Sequence, residues 1–248
     1  LQIKTTVLIM IEKALVTGSA GGIGRAIALD LASRGFDVAF HYNKSAEAAQ
    51  AASQQAARHG IKSIALQADL TKPEEAKSLV ETVAEKLGGL SVVVNNVGNF
   101  LEKQTSQISV EEWHEIIDSN LNATFYVTQT IIPFLKTAGW GRIVNFACAG
   151  AQHLMASEEQ TPYRIAKTGI IIYTKSLAQE LIKDKITANV VSPGVAENSV
   201  GLEETIPILP AKRPATLKDI SNAVGFLISP EADYITGQVL EVAGGWRL

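Results

Sequence analysis

The stretch Ala14-Leu15-Val16-Thr17-Gly18-Ser19-Ala20-Gly21-Gly22-Ile23-Gly24 constrains this chain more than any other. It reads as a short apolar strand running into a glycine-rich turn and then a helix. Glycines at 18, 22 and 24 permit positive φ and let the backbone lie against a ligand that a Cβ would hold off. The segment Arg25-Ala26-Ile27-Ala28-Leu29-Asp30-Leu31-Ala32 follows at once, so the unpaired N–H groups and positive dipole end of its helix face the turn. Together they form a seat for a pyrophosphate, with Gly18, Ser19, Gly22, Ile23 and Gly24 as candidate contacts. Such a turn is a weak signal alone, and context decides. A second apolar run over 36–42 completes a βαβ unit of the expected size.

The rest of the chain repeats that alternation. Apolar runs at 63–68, 90–94, 142–146, 187–192 and 238–242 read as further strands. Ser45 is a candidate N-cap for a helix over 46–58, closed by Gly60. Thr71-Lys72-Pro73-Glu74 has a capping-box spacing and launches a helix ending near Gly88-Gly89. A second capping box, Ser109-Val110-Glu111-Glu112, opens a long helix that carries Asn120 in its interior and finishes near 133–135. Thr161-Pro162 starts a helix running to about Ile182, and Thr216 caps a last one through Ile228. Over 195–215 the pattern lapses, with Pro207, Pro210 and Pro214, and that segment reads as a substrate lid. Right-handed crossovers then give an α/β fold: one Rossmann-type, doubly wound, seven-stranded parallel sheet in a single domain spanning 1–248.

Composition narrows the function. Of the 248 residues 46% are apolar and 19% charged, which suits a parallel sheet buried on both faces. A net charge of −3 gives no electrostatic case for nucleic acid or an anionic membrane, so a small molecule is the expected partner. The single cysteine, Cys148, rules out an intrachain disulfide and fits a reducing compartment such as the cytoplasm. The apolar run Val7-Leu8-Ile9-Met10-Ile11 is too short to span a bilayer, and 1–13 reads as a leader into the first strand. No metal site is expected.

Every chemically interesting motif falls at the end of an expected strand, where this fold binds ligands. Tyr163 and Lys167 are four apart on one helix and project from one face. A tyrosine half-packed in the core beside a solvated lysine is the bland alternative. A tyrosine with an ordinary pKa near 10 exchanges protons poorly at neutral pH and needs its anion stabilised by about three units, or roughly 4 kcal/mol. One ammonium at about 4 Å under an effective dielectric of about 20 supplies roughly that.

Tyr163-Arg164-Ile165-Ala166-Lys167 resembles the Tyr-x-x-x-Lys signature of the short-chain dehydrogenase/reductase family. The spacing Thr-Gly-x-x-x-Gly-x-Gly at 17–24 is similar to that family's glycine turn, and Asn95-Asn96-Val97-Gly98 to its Asn-Asn-Ala-Gly. Asp69-Leu70, Pro193-Gly194 and the closing strand through Gly244-Gly245 extend the resemblance over nearly the whole chain. It implies that Tyr163 protonates a carbonyl oxygen as hydride arrives, that Lys167 lowers its pKa and binds the nicotinamide ribose, and that Asn120 anchors a water leading protons to Lys167. It also implies cofactor contacts from Asp69 and Leu70 beside the adenine, from Asn96 and Gly98, and from Pro193 and Gly194 beside the nicotinamide. A homo-oligomer, tetramer or dimer, is implied as well.

One position departs from the pattern. Counting from Gly141-Arg142 puts Cys148 where the family supplies a serine hydroxyl to orient the carbonyl. Cys148 is then a weak orienting donor, a small apolar filler, or a reactive thiol, and Ser157 in the same loop is a substitute donor. Cofactor choice turns on the end of the second strand, where no acid is present. Asn43, Lys44 and Ser45 offer an amide, a cation and a hydroxyl at a helix N-terminus, which suits a 2′-phosphate. His41-Tyr42-Asn43-Lys44-Ser45 also resembles the phosphate-gripping segment of NADPH-dependent members of the family such as the pteridine reductases. Gly21 stands where many NADPH enzymes carry a second basic residue, and a solvated Lys44 with Ser45 as a mere cap is the alternative. The expectation is an NADP(H)-dependent reductase of a ketone or 3-oxoacyl-type substrate, with general likeness to 3-oxoacyl-carrier-protein reductases. Two alternatives stand beside it: a cofactor-binding sensor or structural protein weakened by Cys148, and an NAD(H)-dependent alcohol, sugar or steroid dehydrogenase.

Overall fold

A computed structural model describes residues 12–199 and 201–247. The expected leader at 1–13 therefore lies outside the described residues, apart from Glu12 and Lys13. Seven strands form one sheet in the order β3-β2-β1-β4-β5-β6-β7: β1 Lys13–Val16, β2 Asp37–Tyr42, β3 Ser63–Gln67, β4 Val92–Asn95, β5 Gly141–Phe146, β6 Ile186–Pro193 and β7 Val239–Val242. Every neighbouring pair is parallel. The chain starts in the middle, walks outward to β3, then returns to β4 on the other side of β1. The crevice beyond the ends of β1 and β4 is therefore the topological switch point.

Side-chain alternation along the strands divides the core in two. Leu15, Val93 and Ile143 face one way, under α3 Pro73–Leu87, α5 Ala123–Ala138 and α6 Thr161–Leu181. Val16, Val94 and Val144 face the other, under α1 Gly22–Ser33, α2 Ala46–Ala57 and α8 Leu217–Leu227. Both faces are covered, so the central strands carry no polar stripe.

Several element ends differ from the sequence reading. Thr71 does not cap α3: its hydroxyl donates to Asp69 Oδ1 at 2.7 Å, and Lys72 stands at the N-cap without a side-chain bond. Ser45 is the N-cap of α2 but makes no cap hydrogen bond, and Gln160, not Thr161, precedes α6. The boxes at Ser109 and Thr216 form as expected, with Glu112 and Asp219 reaching back. The expected long helix is broken into α4 Val110–Ile117, a π-turn Asp118–Asn122 and α5. It also runs past Pro133 to Ala138, because Pro133 lies on the exposed side, where water serves the carbonyl it leaves unbonded. The segment 195–215 is pinned at its base by Ala215 N–H to Val195 O at 2.8 Å and Glu197 N–H to Ala215 O at 2.9 Å. It holds the one-turn helix α7 Leu202–Thr205.

Candidate active site

The glycine turn is held by the chain itself. Gly18 and Gly22 have φ of +63° and +53°, which a side chain would strain. A Cβ on Gly24 would fall on the Gly18 carbonyl and 2.6 Å from Asn96 Nδ2, so only glycine lets α1 start this close to β1. The Asn96 amide donates to the carbonyls of Thr17 at 3.1 Å and Gly18 at 3.2 Å. Thr17 Oγ1 accepts from the N–H groups of Asn96 and Val97. Ser19 is fully buried, its hydroxyl donating to Val16 O at 2.8 Å. Ile23 lies half-buried in the first turn of α1. The backbone thus leaves α1's N-terminus facing an uncrowded cradle, which fits a dinucleotide pyrophosphate.

At the far end of that cradle, Asn43, Lys44 and Ser45 are exposed. Ser45's hydroxyl is not spent on its own helix. Lys44 lies near enough to Asp69 to help lower its carboxyl, behind the larger effect of the Thr71 hydroxyl. Asp69 itself is tied to Thr71, and its N–H donates to Glu75 Oε2 at 2.7 Å. Leu70 is buried. These groups fit the adenosine end of the same ligand.

The chemical groups gather beyond β4, β5 and β6. Lys167 is buried, and its Nζ donates to Phe146 O at 3.0 Å and stands 5.4 Å from the centre of the Tyr163 ring. Burial pulls its ammonium down to about 8. A Cβ on Gly98 would fall on Asn120 Oδ1 and 3.3 Å from Lys167 Nζ, so Gly98, Asn120 and Lys167 meet in one place. Asn120 is wholly buried in the π-turn, its Nδ2 donating to Asn99 O at 2.9 Å and Ile116 O at 3.0 Å. Its Oδ1 has no partner among the described residues. Pro193 and Gly194 close the site from β6: Pro193 O accepts from Ala149 N–H at 3.0 Å, and a Cβ on Gly194 would meet Ala243 at 2.9 Å.

One expectation fails for the chain by itself. Tyr163 was to be brought toward neutrality by Lys167, but burial pushes its phenol up, Cys148 adds to this, and Arg164 opposes it. Desolvation dominates at the phenol, and the same burial loosens the hold of Lys167 on its own proton. Cys148 is half-buried against Ala147, Ala151, Ile171 and Val190. Burial pushes its thiol up, with Lys167 and Arg164 only partly offsetting this, so the reactive-thiolate reading loses its electrostatic support. Ser157 sits ahead of α6, with its carbonyl accepting from Thr161 at 3.1 Å.

The sequence reading missed four residues at this site. His41 links the glycine turn to β2, with Nδ1 accepting from Gly18 N–H at 3.0 Å. Asn198, from the segment 195–215, presents its amide 2.9 Å from where a Gly22 Cβ would be. Phe100 stands edge-on to Tyr163, centroids 5.1 Å apart. Arg164 is buried with Nε and Nη1 unpartnered among the described residues. Asn198 and Phe100 lie in no motif, Arg164 fills a position its signature leaves open, and the segment around His41 drew attention to Asn43, Lys44 and Ser45 instead, so no local signal marks the four.

Known proteins are similar to this chain in sequence and fold. A family model described as Enoyl-(Acyl carrier protein) reductase matches residues 18–247. The 3-oxoacyl-(acyl-carrier-protein) reductase FabG of Staphylococcus epidermidis is 36% identical over 244 residues, covering 95% of this chain and 99% of that protein. A blue fluorescent protein from a metagenomic library, solved in complex with NADPH, superposes with a TM-score of 0.90 at 31% identity, covering 96% of this chain and 98% of its own. Acetoin dehydrogenase YohF of Salmonella typhimurium superposes at 0.88 and 31% identity, covering 96% of both chains. With the glycine turn, the tyrosine–lysine helix and the sheet order all in place, this chain is an oxidoreductase of the short-chain dehydrogenase/reductase family.

Proposed function

We propose that this chain is an NADP(H)-dependent reductase of a carbonyl substrate, a ketone or 3-oxoacyl type. The observation that carries the reading is the meeting of Tyr163, Lys167, Asn120 and Gly98 across the switch point from a glycine turn fitted to a dinucleotide. Lys44, with the uncommitted Ser45 hydroxyl and no acid within 40–45, supports a 2′-phosphate, as does the NADPH-bound structural relative.

The dinucleotide supplies the hydride. Tyr163, kept protonated by burial, gives its hydroxyl proton to the carbonyl oxygen as negative charge develops there. Lys167, near 8, exchanges protons close to neutral pH, and the free Asn120 Oδ1 beside it suits a water that connects it to solvent. Cys148 faces the same site as a weak orienting donor. Asp69 and Leu70 flank the adenine, Asn96 steadies the turn, and Pro193 and Gly194 border the nicotinamide. The lid at 195–215 selects the substrate. Exposed Phe125, Ile165 and Ile172 on α5 and α6 support self-association into a dimer or tetramer. No described helix is long and apolar enough to cross a membrane.

The test is a panel of ketones and 3-oxoacyl thioesters with NADPH and with NADH, followed by cofactor consumption, together with fluorescence titrations of both cofactors. NADPH binds more tightly and supports turnover. Tyr163→Phe keeps NADPH affinity and loses about 10²- to 10⁴-fold in rate. Equal or reversed cofactor affinity sinks the 2′-phosphate argument, and an unchanged rate in Tyr163→Phe sinks the proton-donor role.

A further inference from the structure

We propose that His41 is a positioning residue for the cofactor turn: as a neutral imidazole it holds the Gly18 N–H from behind, and its protonation weakens dinucleotide binding. The proposal rests on the reading that the glycine turn seats the dinucleotide. His41 is the last residue but one of β2 and is 2% exposed. Its Nδ1 lies 3.0 Å from Gly18 N, a group that can only donate, so Nδ1 is bare. Its Nε2 lies 3.0 Å from Ala68 O, a group that can only accept, so Nε2 carries the proton. Two backbone groups from different elements therefore fix one neutral tautomer.

The main chain of the same residue completes the clamp. Ser19 N–H donates to His41 O at 2.9 Å, and His41 N–H donates to Ser19 Oγ at 3.0 Å. Three hydrogen bonds of the turn thus end on His41, and the ring adds a fourth, to the start of the loop after β3. A second proton on the ring would set N–H against N–H at Gly18. The ring must then swing away or the turn must shift, and either changes the backbone that faces the pyrophosphate.

The surroundings favour the neutral ring. Burial pushes the imidazole down, and the Ala68 carbonyl and Asp69 oppose it more weakly. Asp69 is the ionisable group facing the ring from the β3 end, and its carboxylate already answers Lys72 and Lys44. From β1 and the turn, Val16-Thr17-Gly18-Ser19-Ala20 presents no ionisable side chain. From α1, Arg25 is turned to Gln55.

The experiment is calorimetric titration of the whole chain with NADP⁺, from about pH 7.5 to about pH 5, for the natural protein and His41→Asn. The asparagine amide offers an acceptor and a donor without titrating. Because the 2′-phosphate also titrates, the readout is the ratio of the two dissociation constants. That ratio is expected to be within about threefold of one at neutral pH and to climb by up to about tenfold per unit below the histidine's own titration. His41→Leu, which cannot accept, binds more weakly at every pH, and histidine ¹⁵N resonances of the natural protein show the Nε2–H tautomer. Parallel pH curves, or an Nδ1–H tautomer, overturn the proposal. If His41→Asn does not fold, His41→Gln takes its place and the tautomer stands as an independent check. Absence of NADP⁺ binding at neutral pH overturns the reading of the turn, and this proposal with it.

Discussion

The two sides of the switch point are built on opposite principles. On the nucleotide side, from β1 to β4, the turn is fixed by main-chain geometry and by Thr17, Ser19, His41 and Asn96, each with its bonds made. Every buried side-chain polar atom that lacks a partner among the described residues lies at Asn95 or beyond. On the catalytic side those atoms include Asn120 Oδ1, Arg164 Nε and Nη1, Ser192 Oγ and Glu241 Oε2. Buried polar groups are normally satisfied, and Asn120 Oδ1, which faces the same spot as Lys167 Nζ, is the exception placed to serve a ligand or a water. The glycine turn has its own hydrogen bonds made before a ligand arrives; the catalytic side carries the unmet Asn120 Oδ1 and a lysine pulled toward neutrality.

The sharpest way to break that contrast is to damage the finished side. Gly24→Ala places a methyl on the Gly18 carbonyl and against the Asn96 amide, backbone and side chain that are both already committed. Overpacking of this kind costs about 1–3 kcal/mol, and here it also displaces the turn. The expected outcome is loss of NADPH binding by well over tenfold together with a lower denaturation midpoint. Gly21→Ala is the matched control: its φ of −155° suits any residue and nothing lies within 4 Å of the added Cβ, so stability stays within about 0.5 kcal/mol. Equal effects at both positions would mean the turn is softer than its hydrogen bonds imply.

A smaller effect, of opposite sign, is expected on the unfinished side. The folded chain lowers the Lys167 ammonium from 10.5 to about 8, so the unfolded chain holds that proton more tightly. Burying the charge therefore costs stability in full below about pH 8, and the cost fades as pH rises toward 10.5. At 1.36 kcal/mol per unit the full cost is about 3 kcal/mol. Lys167→Met removes the charge and keeps the volume, so it gains about 1–3 kcal/mol at pH 7 while turnover collapses. The gain shrinks on titration to high pH. Denaturant melts at two pH values check this, and a destabilised or pH-independent variant would show that the rim holds no such strain.

What was legible in the sequence follows the same division. The strands could be read because each is an apolar run ended by glycine, proline or a polar residue, and the glycine turn because local conformation dictates its residues. The Ser109 and Thr216 boxes could be read because both partners lie within one turn. Thr71 misled because Asp69 accepts from both its hydroxyl and its N–H, while Glu75 in the first turn of α3 reaches back to Asp69's N–H instead of Glu74 reaching Thr71. The π-turn at Asp118–Asn122 was invisible since its cause is long-range: Asn120 reaches back to Asn99 in the loop after β4. The protonation of Tyr163 was misjudged because a pairwise ammonium–phenol estimate leaves out desolvation, which only a folded site supplies.

The smallest expected effect concerns Cys148, where the two sides meet. Its side chain packs with Ala147, Ala151, Ile171 and Val190, yet its charge state is felt by both Tyr163 and Lys167. A thiol kept protonated by burial is a poor donor to a carbonyl, whereas a hydroxyl donates well in the same place. Cys148→Ser is expected to raise kcat/KM on a small ketone by about three- to tenfold, since one neutral hydrogen bond is worth about 0.5–1.5 kcal/mol. Stability falls by about 1 kcal/mol or less as the packing weakens. Cys148→Ala separates the two roles of the position. If alanine and serine give the same rate, the side chain is a filler and the carbonyl is oriented from elsewhere. If serine alone gains, the residue stands at the substrate oxygen, and the weak donor there is a limit on turnover that one oxygen atom removes.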